Sequence, residues 1–122
     1  FPYTTLFRSG VGRDLLRGGG AGDDLDGEGA ADLLDGGRGR DVMTGGPGRD
    51  RFVFAEGDGR DVITDFTPGV DRILFRDGSE RFSDLRRVDR GDDVLVLHGG
   101  PGDSILLRGV EPGKLGPGDF AF

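Results

Sequence analysis

A repeat with a period of nine residues runs from Ser9 to Val53 and constrains the fold of this chain more than any other feature. In one-letter code the five units read SGVGRDLLR, GGGAGDDLD, GEGAADLLD, GGRGRDVMT and GGPGRDRFV. The sixth place of every unit is an aspartate, namely Asp14, Asp23, Asp32, Asp41 and Asp50. The eighth place is a large apolar residue, namely Leu16, Leu25, Leu34, Met43 and Phe52. Repetition of this kind indicates a stack of similar structural units rather than an ordinary globular core.

Each unit divides into a six-residue turn rich in glycine and a three-residue strand. Glycine suits such turns because a positive φ and a close approach of the backbone cost it little. Within the strand, alternation places the apolar eighth residue on one face and its neighbours on the other. Leu15, Leu33 and Val42 interrupt the polar outer face, so we expect neighbouring structure to cover part of it. The pattern predicts a parallel coil in which alternate units lie on opposite sides.

The composition makes a metal the natural source of additional stability. Only 34% of the chain is hydrophobic and 26 residues are glycine, so a conventional core would be thin. Cysteine is absent, which removes disulfides and thiolate metal sites and favours a hard metal with oxygen ligands. A formal net charge of −7 argues against nucleic acid as a partner. No apolar run approaches the roughly 18 residues of a transmembrane segment.

Calcium fits these turns better than magnesium does. It takes six to eight oxygen ligands at about 2.3–2.6 Å and accepts carboxylates mixed with backbone carbonyls, whereas magnesium demands near-ideal octahedral geometry. Each turn offers one aspartate and the exposed carbonyls of its glycines. Without a cation the stacked aspartates repel one another, and the narrow apolar row cannot offset the entropy of ordering so many glycines. We therefore expect the calcium-free repeats to be largely disordered.

The G-G-x-G-x-D-x-U-x unit, in which U is a large apolar residue, resembles the RTX (repeats-in-toxin) calcium-binding repeat of secreted bacterial proteins. The resemblance implies a parallel β-roll with two units per turn and calcium ions held between turns stacked on the same side. It places Asp14, Asp32 and Asp50 on one side, and Asp23 and Asp41 on the other. The glycine carbonyls that it implies as further ligands belong to Gly10, Gly12, Gly18, Gly19, Gly27, Gly36, Gly37, Gly39, Gly45, Gly46 and Gly48.

The second and third units depart from this pattern. Ala21 and Ala30 occupy the fourth place, and Glu28 occupies the second. A local alternative register that uses Gly19, Gly20, Gly22 and Asp24 therefore stays open.

After Val53 the strict period ends, and residues 54–122 are expected to form a short-stranded β cap over the last apolar layer. Residues 57–66 keep half a repeat, with Asp61 either as a sixth ligand stacked beyond Asp41 or as a solvated aspartate that opens a strand. Strands are predicted over 71–75, 93–97 and 103–107. Residues 79–89 are expected to form a helical turn or an irregular loop, and residues 99–105 a turn.

Both ends of the sequence carry a recognisable pattern. Residues 1–9, FPYTTLFRS, resemble the translation of a sequencing-library adapter, and Ser9 stands where the first unit would have glycine. We expect this segment to be foreign to the repeats at residues 10–53. Residues 119–122, Asp-Phe-Ala-Phe, resemble the carboxy-terminal end of type I secretion substrates, and are also compatible with a terminal edge strand that buries Phe120 and Phe122.

Motifs for catalysis are not found in the sequence. It has neither a zinc-protease H-E-x-x-H nor a G-x-S-x-G serine elbow, and the single histidine, His98, is expected to be exposed after a strand. The nine-residue spacing of the aspartates fits metal sites better than an acid/base pair. We therefore expect no enzymatic activity within these residues.

The expected function is that of a calcium-binding, carboxy-terminal module of a secreted, extracellular bacterial protein, which folds on calcium and leaves the cell through a type I secretion apparatus. Two alternatives stay open. The chain could be the tail of a calcium-dependent secreted enzyme, such as a metalloprotease or lipase. It could instead bind extracellular glycan or a cell surface through outward arginines such as Arg38, Arg40, Arg49 and Arg51.

Overall fold

A computed structural model describes residues 6–8, 10–76 and 81–122, and within these ranges the chain is almost entirely β-structure. The strands of the repeat region are β1 (Leu6–Arg8), β2 (Leu15–Arg17), β3 (Asp24–Asp26), β4 (Leu33–Asp35), β5 (Val42–Thr44) and β6 (Arg51–Phe54). They are followed by β7 (Arg60–Ile63), β8 (Arg72–Phe75), β9 (Arg86–Asp89), β10 (Val94–Leu97), β11 (Ser104–Leu107) and β12 (Phe120–Ala121). Three short 3-10 helices span Phe82–Asp84, Pro112–Lys114 and Pro117–Asp119. Ser9 and most of the adapter-like segment lie outside the described residues.

Successive units of the repeat alternate between two sheets. Sheet A has the strand order β1-β3-β5-β7-β11-β10-β9, and sheet B has the order β12-β8-β6-β4-β2. In the repeat region all neighbours are parallel and are offset by two units, so that Leu16 pairs with Leu34 in sheet B and Leu25 with Met43 in sheet A. The predicted all-β, parallel β-roll is therefore confirmed.

The apolar residue of each unit points into the space between the two sheets. Leu16, Leu25, Leu34, Met43 and Phe52 are all buried. The same inward row continues into the carboxy-terminal strands through further buried residues, namely Phe54, Ile63, Ile73, Phe75, Ile105 and Leu107. A period of two within each strand and of nine between strands thus produces one continuous core.

The carboxy-terminal strands close the end of this core. Strand β11 continues sheet A in parallel beside β7, but β10 and β9 then add to it in antiparallel orientation. Phe66, Leu85, Val110, Leu115 and Phe120 are buried at this end. The turn expected over residues 99–105 is found at residues 98–103 between β10 and β11, and Ser104 and Ile105 already belong to β11. Strand β9 was not expected, because residues 86–89 are mostly polar.

The expectation that His98 is exposed is wrong, and the expected cover over the outer face is found at the half-buried Leu33 only. His98 is buried rather than exposed, and its ring centroid lies 5.1 Å from that of Phe75. The reason is strand alternation, since His98 has the same parity as the inward-facing Val94 and Val96. Leu15 and Val42 lie on outer faces that no described segment covers, with 54% and 38% of their surface exposed.

The terminal segment matches its expectation in part. Strand β12 lies at the edge of sheet B beside β8, with Phe120 buried, whereas 45% of the surface of Phe122 is exposed. None of the helices within the described ranges is long and apolar enough to cross a membrane.

Candidate metal sites

The repeated aspartates form two ladders, one along each side of the roll. In every ladder the Oδ1 atom of one aspartate accepts a hydrogen bond of 2.8–2.9 Å from the backbone N–H of the aspartate one coil earlier. One ladder contains Asp14, Asp32, Asp50 and Asp71. The other contains Asp23, Asp41 and Asp61. The carboxylates of Asp32, Asp41, Asp50 and Asp61 therefore each tie two stacked coils together with only one of their two oxygens.

The second carboxylate oxygen is buried and lacks a hydrogen-bond partner among the described residues at six positions. These are the Oδ2 atoms of Asp14, Asp23, Asp32, Asp41, Asp50 and Asp61. Leaving a buried acceptor unsatisfied costs roughly 1–3 kcal/mol, and more when the group is charged. Buried polar atoms in proteins nearly always have a partner, and a carboxylate oxygen can be satisfied by a cation. Six such oxygens in one small fold therefore indicate cation sites.

The first glycine of each turn leaves space beside this oxygen. A Cβ atom added to Gly18 would lie 2.5 Å from Asp23 Oδ2 and 2.7 Å from the carbonyl oxygen of Gly36. The same point at Gly27 would lie 2.6 Å from Asp32 Oδ2 and 2.9 Å from the carbonyl oxygen of Gly45. Any side chain at these glycines would fill a space bordered by a carboxylate of one turn and a carbonyl of the next coil. The donor chemistry of this space is that of a calcium site.

The second and fourth places of every turn adopt a left-handed backbone. Gly37 and Gly39 show this with φ angles of 78° and 114°, and their Cα atoms face the carbonyl oxygens of Gly19 and Ala21 in the preceding coil. Gly46 and Gly48 repeat the arrangement against Glu28 and Ala30.

The residues that depart from the pattern also adopt this conformation. Ala21, Glu28 and Ala30 have φ angles of 68°, 64° and 72°. The structure therefore uses the nine-residue register in the second unit, with Asp23 in the ladder and Asp24 opening β3. The alternative register built on Asp24 is not adopted.

Burial and mutual repulsion destabilise the ionised form of these carboxyls when no cation is bound. Desolvation is the main cause that raises the pKa of Asp41 to about 7, of Asp50 to about 6 and of Asp61 to about 8. Neighbouring aspartates add to the increase, whereas the hydrogen bond from the preceding coil opposes it. Burial also raises the pKa of Asp32. A bound divalent cation would reverse this preference by stabilising the ionised forms.

The structure brings the predicted residues together as two stacks rather than as clusters of side chains. No three His, Cys, Asp or Glu side chains converge in metal-binding geometry within residues 6–8, 10–76 and 81–122. The available donors are carboxylates combined with backbone carbonyls, a set that suits calcium. Gly10 and Gly12 lie in the first turn with the same left-handed backbone.

Asp61 occupies the place that was predicted for a sixth ligand, since it stacks on Asp41 and is buried. Sequence reasoning missed Asp71, which continues the other ladder beyond Asp50. The sequence does contain the D-x-U spacing at Asp71 and Ile73. The spacing is hard to recognise as part of the repeat because Asp71 follows Asp50 by 21 residues rather than by 18. The Oδ2 atom of Asp71 accepts a hydrogen bond from the backbone N–H of Thr67, so this carboxylate differs from the other six.

Carboxylates beyond the repeats satisfy the backbone of the last turns. Asp65 accepts hydrogen bonds from the N–H groups of Gly45 and Gly46 at 2.9 and 2.7 Å. Asp103 accepts from Gly57 and Gly59, and its pKa is lowered by hydrogen bonds of this kind, although burial opposes the shift. Both oxygens of Asp65 and of Asp103 accept hydrogen bonds from the backbone, whereas six ladder aspartates have an Oδ2 atom without a hydrogen-bond partner.

Comparisons with known proteins agree with this geometry. A family model for the RTX calcium-binding nonapeptide repeat (4 copies) matches residues 17–52 and 26–63. A search of curated proteins finds no match. Among solved structures, the AlgE6R2 subunit of the Azotobacter vinelandii mannuronan C5-epimerase is similar with a TM-score of 0.65 and 26% identity, over 98% of this chain and 91% of that one. The AlgE6R3 subunit of the same epimerase has a TM-score of 0.58 and 28% identity, over 91% of this chain and 80% of that one.

The extracellular lipase LipA of Serratia marcescens shares the fold, with a TM-score of 0.62 and 21% identity. The match covers 94% of this chain, which spans 20% of the length of the lipase chain. The repeat motif, the two ladders and the family model lead to one assignment. Residues 17–63 belong to the RTX calcium-binding nonapeptide repeats, and the chain is a β-roll module built on them.

Proposed function

We propose that this chain is a calcium-driven folding module whose two aspartate ladders hold Ca²⁺ between stacked turns. The observation that carries the proposal is the set of six buried Oδ2 atoms without a hydrogen-bond partner, which coincides with the six aspartates predicted as ligands. Carbonyl oxygens complete each shell, from the glycines at the first, second and fourth places of the turns. These glycines are Gly10, Gly12, Gly18, Gly19, Gly27, Gly36, Gly37, Gly39, Gly45, Gly46 and Gly48.

The energetic consequence is a fold that depends on the calcium concentration. A ligand present at ten times its dissociation constant stabilises the folded state by about 1.4 kcal/mol per site. Three or four sites would then contribute roughly 4–6 kcal/mol, which is comparable to the whole stability of a small domain. At low calcium the ladder carboxylates of the folded protein are desolvated and have no cation beside them. In the unfolded chain water solvates them, so the unfolded chain is favoured.

This dependence suits a protein that crosses a membrane unfolded and folds outside the cell. We propose that the module belongs to an extracellular bacterial protein exported by a type I secretion apparatus, with residues 54–122 as the cap. Residues 119–122 support export through their acidic-then-apolar pattern. The fold shared with an extracellular lipase makes the tail of a calcium-dependent secreted enzyme a compatible context, in which catalysis belongs to another part of that enzyme.

A calcium titration followed by far-ultraviolet circular dichroism tests the folding proposal. We expect little β-structure in excess chelator and a cooperative gain of signal as calcium is added. Asp32→Ala should raise the calcium midpoint, because Asp32 lies in the middle of its ladder. Asp92→Ala is the matched control, since Asp92 is exposed in the turn before β10. A complete β-signal in chelator, or equal midpoints for the two variants, would overturn the proposal.

Glycan binding is a second candidate that one observation favours. Arg51 and Arg72 are paired neighbours on the outer face of sheet B, and Arg17 lies exposed on the same side, whereas Arg76 forms an ion pair with Asp35 there at 2.7 Å. An anionic uronate polymer could lie across this face. Of the arginines predicted to contact sugar, Arg51 lies here, whereas the other three lie in turns.

Binding of a mannuronate polymer to the calcium-loaded protein tests this candidate. The double variant Arg51→Ser with Arg72→Ser should weaken saturable binding, and Arg40→Ser with Arg49→Ser is the control of equal charge. Equal losses, or binding that disappears at 0.15 M salt, would indicate nonspecific charge attraction instead.

A further inference from the structure

The outer face of sheet A carries an aliphatic row that crosses five strands. Val42 pairs with Val62, Val62 with Leu106, Leu106 with Leu95, and Leu95 with Val88. All five side chains point away from the core; 38% of the surface of Val42 is exposed, and the other four are partly exposed. At about 4.8 Å between neighbouring strands, the row is about 19 Å long.

This row is unusual for a solvent-facing sheet surface. Directly opposed residues in neighbouring strands have their side chains in contact, so the five form one continuous strip rather than scattered apolar residues. The apolar run on the outer face of sheet B is shorter, since Val53 pairs with Leu74 and Leu74 with Ala121, whereas Asp35 is paired with Val53. Contiguous exposed apolar surface of this kind marks an interaction site.

Opposite charges flank the two ends of the row. Asp24 and Asp26 lie on the outer face of β3, beside Val42 and Thr44. At the other end, Arg86 has the same outward parity as Val88 on β9, and Arg90 follows that strand. Arg8 of β1 is opposed to Asp26, and Arg60 of β7 lies midway along this face, so the acidic residues are confined to β3 and the basic residues continue to β9.

We propose that this face binds a second copy of the same chain, with the two rows packed face to face around a two-fold axis parallel to the strands. This axis lies between β7 and β11 and reverses the strand order, so that β7 of one copy lies over β11 of the other, β5 over β10, and β3 over β9. Asp24 and Asp26 then face Arg86 and Arg90 of the second copy, twice in the dimer. Packed sheets whose strands run nearly parallel at about 10 Å separation are a common arrangement, and an isologous contact needs this kind of self-complementarity.

The face is small, so the dimer is weak. Five short strands offer less than the roughly 800 Å² per partner of a standard stable interface. We expect a dissociation constant on the order of 100 μM. The dimer requires the folded roll but does not depend on which residues bind calcium. Association is therefore measured in millimolar calcium, on protein whose folding has been verified by circular dichroism.

Sedimentation equilibrium between 5 and 500 μM (about twentyfold below to about fivefold above a 100 μM constant) tests the proposal. The average mass should rise from 12.9 kDa towards twice that value. Leu106→Lys, at the centre of the row, should keep the protein monomeric, whereas Leu74→Lys on the outer face of sheet B should not. A wild-type protein that stays monomeric to 500 μM, or equal effects of the two lysine variants, would overturn the proposal.

Charge reversal tests the orientation. Asp24→Arg alone and Arg90→Asp alone should each weaken association at least threefold, and the double variant should restore it, because each copy then presents the exchanged charges to the other. Calcium midpoints of all three variants, measured by circular dichroism, should match that of the wild type. Failure of the double variant to recover association contradicts the proposed two-fold arrangement.

Discussion

The Oδ1 atom of Asp61 accepts a 2.9 Å hydrogen bond from the backbone N–H of Asp41, while the Oδ2 atom of Asp61 is buried without a hydrogen-bond partner among the described residues. The two oxygens of one carboxylate thus have different roles. One oxygen aligns successive coils, and the other is available to a cation. This division allows the structural and metal-binding contributions of a single residue to be separated by substitution.

Asp61→Asn should separate these contributions. The amide keeps an acceptor for the N–H of Asp41 but removes the negative charge, so we expect a normal fold at saturating calcium and a calcium midpoint raised about tenfold, equivalent to about 1.4 kcal/mol. Asp61→Ala removes both oxygens and should also lower the stability at saturating calcium. Calcium titrations and urea unfolding measure the two effects. Identical behaviour of the two variants in both measurements would contradict the division of roles.

The register of the second unit can be tested with adjacent aspartates. Asp23→Ala should raise the calcium midpoint severalfold, because Asp23 lies in a ladder with its Oδ2 atom buried. Asp24→Ala should leave the midpoint within a factor of two, because its side chain lies on the outer face of β3. Isothermal titration calorimetry with calcium gives both values. A larger effect of Asp24→Ala would show that the alternative register is used in solution.

Acid should partly substitute for calcium. The folded-state pKa values of Asp41, Asp50 and Asp61 are raised from 3.8 to about 7, 6 and 8, so protonation favours the calcium-free fold. This stabilisation is fully present below about pH 4 and is lost as the pH rises through 6 to 8. In chelator, β-structure should therefore increase when the pH falls from 8 to 5.

Calcium affinity should change in the opposite direction, because the metal requires ionised carboxylates and releases protons on binding. The calcium midpoint should be several times higher at pH 5.5 than at pH 8. Circular dichroism in chelator and in calcium, at matched ionic strength, measures both trends. A calcium midpoint independent of pH between 5.5 and 8 would refute the assignment of these carboxyls.

The left-handed positions predict a pair of opposite substitutions. Ala21→Gly should stabilise the calcium-loaded protein by about 0.5–1 kcal/mol, because a left-handed backbone costs a non-glycine residue about 1–2 kcal/mol, offset in part by the greater freedom of glycine in the unfolded chain. Gly39→Ala should destabilise it by at least 1–2 kcal/mol, because it introduces the same strain and places a Cβ against the carbonyl oxygen of Ala21. Urea unfolding in saturating calcium measures both, and effects of the same sign would be inconsistent with the turn geometry.

The repeat region could be predicted from sequence because each strand, turn and ladder residue recurs at a fixed spacing. Asp14 to Asp50 needed no tertiary information, since a period of nine already places every second unit on the same side. Asp61 was open to two interpretations and Asp71 was missed, because the turns before them are longer. Their positions depend on strand pairing rather than on counting along the chain.

Beyond the repeats, local patterns were insufficient. Strand β9, Arg86–Asp89, has a single apolar residue and is held as a strand by pairing with β10. His98 was expected in solvent because it precedes two glycines, but strand parity directs it towards Phe54 and Phe75. Leu15, Leu33 and Val42 were expected to lie on a partly covered face, but only Leu33 is half-buried, because local sequence does not show which outward residue its own chain covers.

The lengthened turns have a practical consequence for engineering. Asp41 and Asp61 are 20 residues apart and Asp50 and Asp71 are 21 apart, yet both pairs keep the hydrogen bond found at a separation of 18. The extra residues are absorbed where the chain reverses, and the flanking strands do not slip. Peptide tags or reporter loops inserted at these two reversals should therefore leave the stacking intact where they keep the hydrogen bonds that Gly57 and Gly59 donate to Asp103, and those that Gly45 and Gly46 donate to Asp65.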